Sequence, residues 1–239
     1  MPIIEFKDDI ENKTEYEKVI AKSSKLSKCH LHIFLLNKAL PNGKQAVFVP
    51  KDLIKYSPDS HQYTSIGYQD QQYYNWDCYI AVSKKWCDKI RIFPGYFAYL
   101  IGHELGHANI YFNDRDLYIL CQLIEGKIRD ASGGNINGHY QCPHEIFFDR
   151  FGKYFANKVQ TGLFEEIEEI KKTASPSERI RLGLIQNLQP RDCFEGLRES
   201  LIDFASPYKT DLIRLWKESV RKCGCKSLAS QVDLENIFQ

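Results

Sequence analysis

The sequence holds no apolar stretch long enough to cross a bilayer. Its most apolar runs, residues 31–36 and 96–101, fall far short of the about 20 residues that a spanning helix needs. The first residues, Met1-Pro2-Ile3-Ile4-Glu5-Phe6-Lys7-Asp8-Asp9, carry acids early and lack the apolar core of a secretory signal. An excess of either charge is also missing. The 32 Lys and Arg face 31 Asp and Glu, for a formal net charge of +1, which argues against nucleic-acid binding driven by bulk charge. There is no internal repeat and no low-complexity segment. The eight cysteines include Cys223-Gly224-Cys225, but no second paired motif completes a four-cysteine metal site, even with Cys193 added. Together these absences predict a soluble, cytoplasmic protein with reduced thiols, although secretion as an effector stays open.

What is present is enough apolar material for a large core. Of the 239 residues, 43% are hydrophobic, which suits one large domain or a core domain with a helical appendage. We divide the chain at residue 189, with a helical extension over 190–239. Residues 4–26 read as one Lys/Glu-rich helix with Tyr16, Val19 and Ile20 on its apolar face. Residues 30–36 and 45–49 read as partner strands around the Asn42-Gly43 turn. Residues 56–75, rich in tyrosine, read as an irregular surface loop, and 78–83 as another strand. Beyond the Pro94-Gly95 break the pattern turns helical: 96–111, 117–128 and, after a Gly/Asn-rich loop over 130–142, 144–170 with an interruption near Gly162. The run from Glu165 to Lys172 reads as a solvated helix face with Glu168 and Lys172 spaced to pair. The order predicts an α+β fold with a small antiparallel sheet, then an active-site helix, a second ligand-bearing helix and a helical C-terminal region.

The chemistry-bearing motif is Gly102-His103-Glu104-Leu105-Gly106-His107, an H-E-x-x-H. Two histidines four apart on a helix project from one face, one turn apart, so both imidazoles can reach one zinc ion. Glu104 then stands beside the metal's open position as a general base towards a metal-activated water. A catalytic zinc usually has three protein ligands. The residues after His107 exclude the metzincin arrangement, which needs a third histidine at a fixed short spacing. The best third ligand is Glu145, in an E-x-x-x-D pair with Asp149 on an aromatic-rich helix. Asp149 can accept the free ring N–H of a ligand histidine. An acid in the first turn of a helix also suits the helix dipole, which is the plain alternative for Glu145. His139 and His144 are rival third ligands, a His after a loop serving in some zincins such as SprT-like proteases. His139, Tyr140 and His144 are candidates for substrate binding or oxyanion stabilisation.

With H-E-x-x-H at 103–107 and E-x-x-x-D at 145–149, the chain resembles gluzincin-type metallopeptidases over about residues 75–185. One similar family is the CAAX prenyl endopeptidases, whose downstream H-P…R-I-x-x-L segment resembles Ser175-Pro176-Ser177-Glu178-Arg179-Ile180-Arg181-Leu182. Here Ser175 replaces the His and the Pro-to-Arg spacing is shorter; the likeness implies that Arg179 faces the active site, as a candidate for substrate binding or oxyanion stabilisation. The other is the ImmA/IrrE-type family, which usually has Asn where this chain has Asp149. The resemblance implies a minimal zincin fold, one Zn2+ per chain and hydrolysis of a protein or peptide substrate. It further implies that the strand at 79–83 is an edge that pairs with extended peptide. The alternative is a metal-binding zincin-fold regulator or binding module without turnover. Oligomeric state has no signal in the sequence.

Overall fold

The computed structural model of the chain describes residues 3–6, 14, 18–19, 21, 32–35, 45–50, 53–57, 62–66, 78–131, 142–159, 162–223 and 232–239. These divide into two compact units, neither of them a single stretch: residues 1–50, 76–109 and 147–193, and residues 51–75, 110–146 and 194–239. The division falls inside two continuous helices, α2 and α4 below. Helices dominate, with two small sheets, so the architecture is α+β.

In the first unit a four-stranded mixed sheet runs in the order β1 (Ile3–Phe6), β2 (His32–Leu35), β6 (Cys78–Val82), β3 (Ala46–Pro50). The first three strands are parallel and β3 is antiparallel to β6, with Phe48 opposite Ile80. Burial explains the order. Ile80, Ala81 and Val82 are all buried at consecutive positions, as a strand covered on both faces must be. In β3, buried Ala46 and Phe48 flank half-buried Val47, the alternation of a strand with one face covered. Three sequence expectations fail here. The stretch 4–26 begins as a strand, not a helix, although Thr14, Lys18, Val19 and Ala21 are helical; Tyr16 and Ile20 lie outside the described residues. The strands at 30–36 and 45–49 are not partners, because β6 lies between them; Asn42-Gly43 lies outside the described residues. The strand at 79–83 is no edge, since both of its sides are paired.

After the short α1 (Lys84–Cys87) comes α2 (Pro94–Asn113). Pro94 takes the first helical position, where a missing N–H costs nothing. The orphan N–H groups of Gly95 and Tyr96 donate to Glu166 Oε1 and Oε2 at 3.0 and 2.7 Å. Residues 95–106 are buried without interruption, so this part of α2 is enclosed on every face, whereas Phe112 and Asn113 at its end are exposed. The helix α4 (Pro143–Val159) crosses it at very short range. A Cβ on Gly102 would lie 2.6 Å from Phe155 Cβ, one on Gly106 2.9 Å from Phe148 Cδ1, and one on Gly152 2.8 Å from the Tyr99 carbonyl oxygen. Only hydrogen at these three positions lets the backbones approach this closely.

Gly162, with φ at +97°, separates α4 from α5 (Leu163–Thr173). The charged run on α5 is not wholly solvated as expected. Glu166 caps α2, and the pairs that form are Lys171 with Glu168 and Lys172 with Glu169. The next helix, α6 (Pro176–Asn187), starts with Ser175 as its cap, the hydroxyl accepting from the Glu178 N–H at 3.3 Å. Ser-Pro-Ser-Glu is thus a helix-start signal in its own right. At the other end, Lys153 Nζ donates to the carbonyls of Ile185, Gln186 and Leu188.

The second unit holds a small antiparallel sheet, β4 (Leu53–Ser57) with β5 (Gln62–Ile66), in the stretch read from sequence as irregular loop. It also holds α3 (Arg115–Ala131), α7 (Leu197–Ala205), a 3-10 turn at Ser206–Tyr208, α8 (Lys209–Cys223) and α9 (Leu234–Ile237). Buried positions recur at helical spacing: Leu117, Leu120 and Ile124 on α3, Leu197, Leu201 and Ala205 on α7, Leu212 and Trp216 on α8. Asp114 accepts from the Leu117 N–H to start α3 and pairs with Arg198 at 2.8 Å. Among the described residues no helix is long and apolar enough to cross a membrane.

Candidate metal centre

The helical period of α2 sets His103 and His107 one turn apart, with ring centroids 5.2 Å from each other and edge to face. Phe148 on α4 packs under both rings, 4.2 Å from His107 and 6.0 Å from His103 between centroids. Glu145 stands in the first turn of the same helix, one turn before Asp149. Ligand atoms of His103, His107 and Glu145 all lie within 4.8 Å of one another. His103 and Glu145 are buried and His107 is half-buried. Two imidazoles and a carboxylate form a donor set suited to a borderline divalent ion such as zinc.

A hydrogen-bond network behind His103 engages one of its ring nitrogens. His103 Nδ1 is 2.8 Å from Asp149 Oδ1. A carboxylate only accepts, so the proton sits on Nδ1 and Nε2 keeps its lone pair. The Tyr99 hydroxyl donates to the same Asp149 oxygen. Burial first, and then the Asp149 charge, raise the Tyr99 phenol well above its ordinary range, so it stays a neutral donor. Tyr99 is a member that the sequence reading missed. Its signal was present: four residues before His103, it occupies the same helix face.

Glu104, 8% exposed, turns towards the sheet. Its Oε2 accepts from the backbone N–H of Phe48 at 2.6 Å. In this way the edge strand β3 holds one carboxylate oxygen of the expected base.

The remaining candidates fall elsewhere. His139 and Tyr140 lie outside the described residues, as do His30, His61 and Cys225. His144 is fully buried, with Nε2 3.4 Å from Glu145 Oε1, and groups with Glu125 and Glu145 rather than with the two α2 histidines. Burial works against charge on His144, but the Cys121 thiol beside it and the Glu145 carboxylate outweigh that and raise the imidazole to about 10. Burial in turn raises the Cys121 thiol. Arg179 is exposed and turns its Nε back onto the Ala174 carbonyl at 2.9 Å. The arginine whose charge acts on the Tyr99 hydroxyl is Arg181, two residues on. Among the described residues, Cys121, Cys142 and Cys193 form no disulfide, and the first two are buried. No protein-family model, curated protein or solved structure matches the chain, so this centre stands on its own geometry.

Proposed function

We propose that the chain is a zinc-dependent endopeptidase, with His103, His107 and Glu145 as metal ligands and Glu104 as general base. The observation that carries this reading is the convergence of those three ligand atoms within 4.8 Å, on a helix where Glu104 directly follows the first histidine. The donor set fits the ion: the Asp149 contact on Nδ1 reserves His103 Nε2 for ligation. Bound there, zinc supplies Lewis-acid polarisation of the scissile carbonyl and lowers the pKa of an attacking water. The protein's own groups do the rest. Asp149 holds the His103 tautomer. Glu104, anchored through Oε2 by the Phe48 N–H, takes the water's proton and passes it to the leaving amine. Among the described residues β3, which carries Phe48, is one of the two outer strands of the mixed sheet, so extended substrate pairs along β3 rather than along residues 79–83.

The test is cleavage of a denatured-protein or peptide-library substrate, with chelator, with zinc restored, and with Glu104→Gln. The wild type cleaves, chelator stops it and zinc restores it. Glu104→Gln keeps its zinc and loses about 10²–10⁴-fold in rate, the usual contribution of a general base. Cleavage retained in Glu104→Gln overturns the mechanism. Zinc binding with no cleavage of any substrate by the wild type favours a metal-binding regulator instead.

A further inference from the structure

A second set of ligating side chains lies apart from the two α2 histidines. Glu125 projects from α3, and His144 and Glu145 from the first turn of α4. One ligand atom from each falls within 4.8 Å of the other two. Solvated acidic patches are common on protein surfaces, but this set is not one. His144, Glu145 and Glu125 are 0%, 2% and 9% exposed. The local backbone is fixed as well: Pro143 opens the helix and the Glu145 N–H donates to the Cys142 carbonyl at 3.1 Å.

We propose that Glu125, His144 and Glu145 bind a second divalent transition-metal ion. Carboxylate, imidazole and carboxylate form a donor set for zinc, manganese or ferrous iron, the His144 imidazole releasing its proton to solvent as the ion binds. Two carboxylates held this close in a buried setting repel each other, and a dication between them converts the repulsion into attraction. Buried Cys121 lies beside the His144 ring, and buried Cys142 directly precedes the helix. Glu145 belongs to both sets, and its two oxygens allow one carboxylate to serve both ions. Hydrolases with paired metals hold them about 3.5–4 Å apart in this manner. Only the bridging role of Glu145 rests on the peptidase reading; the second site itself does not.

The experiment is metal stoichiometry on the full chain, by elemental mass spectrometry after zinc loading and by cobalt titration followed in the visible spectrum. The wild type takes up two equivalents. Glu125→Gln and His144→Asn each take up one, and His107→Ala also takes up one. Circular dichroism melts identify any variant that fails to fold, and the wild-type cobalt titration, with two saturating steps, needs no variant. A wild type that saturates at one equivalent, with uptake unchanged in Glu125→Gln, overturns the second site and leaves the first. Uptake lost in Glu125→Gln but untouched in His107→Ala sustains the second site and overturns the first. A wild type that binds no metal overturns both.

Discussion

Asp149 carries more of the candidate centre than its single charge suggests. One of its oxygens receives both the His103 ring N–H and the Tyr99 hydroxyl. Replacing it with Asn keeps the size but removes the anion, so the imidazole can rotate or shift its proton to Nε2, the nitrogen that ligation needs. We expect Asp149→Asn to lower zinc affinity about 10–100-fold, the usual effect of losing a partner behind a ligand histidine. Competition with a chromophoric chelator measures it. Tyr99→Phe should have a smaller effect, because the His103–Asp149 contact survives it. Equal affinities in wild type and Asp149→Asn would remove Asp149 from the centre. The same scale shows what the sequence could disclose. His103, Glu104 and His107 were legible because helical geometry turns a four-residue spacing into a shared face. Glu145 and Asp149 were legible as a pair for the same reason. Arg179 was singled out through a resemblance to a motif, whereas its neighbourhood is that of a helix start capped by Ser175.

At the scale of elements, the centre depends on how closely α2 and α4 cross. Ala has a better helix propensity than Gly by about 1 kcal/mol, so a substitution in open space would stabilise. At Gly102 the new methyl meets Phe155 Cβ at 2.6 Å and the Gly152 Cα at 3.0 Å, atoms that move only with their backbone. Overpacking of this kind costs about 1–3 kcal/mol, so Gly102→Ala should be net destabilising. At Gly106 the obstacle is the Phe148 side chain, with Cδ1 at 2.9 Å and Cβ and Cγ at 3.3 Å, and no backbone atom. Gly106→Ala should therefore cost less stability than Gly102→Ala and displace the ring that packs 4.2 Å from His107, weakening metal binding. Urea melts and zinc titrations of the two variants separate the effects; the opposite ordering of stabilities would refute this account of the crossing. The motif's glycines were visible in the sequence, but their reason was not, since Phe148, Gly152 and Phe155 lie far along the chain. Strand order escaped for a similar cause. Hairpin signals act between neighbours, whereas the placing of β6 between β2 and β3 depends on pairing across long separations. The capping of α2 by Glu166 was hidden for the same reason, inside a charged run that looked solvated.

For the whole molecule, the proposed metal binding predicts a link to stability, because the candidate ligands come from segments far apart in sequence and an unfolded chain holds them together poorly. An ion that binds only the folded state at a hundred times its dissociation constant adds about 2.7 kcal/mol of stability. A chain of this size then melts several degrees lower after chelation, since 1 kcal/mol shifts the midpoint by about 2–4 °C for 150–250 residues. Differential scanning fluorimetry with chelator, then with zinc returned in excess, should show the loss and its recovery. The variants divide the effect. His107→Ala should keep part of the zinc-dependent shift through Glu125, His144 and Glu145, whereas Glu145→Gln, which takes one ligand from both sets, should lose most of it. A melting temperature that does not respond to zinc in the wild type would mean that neither set binds the ion more tightly in the folded chain than in the unfolded one.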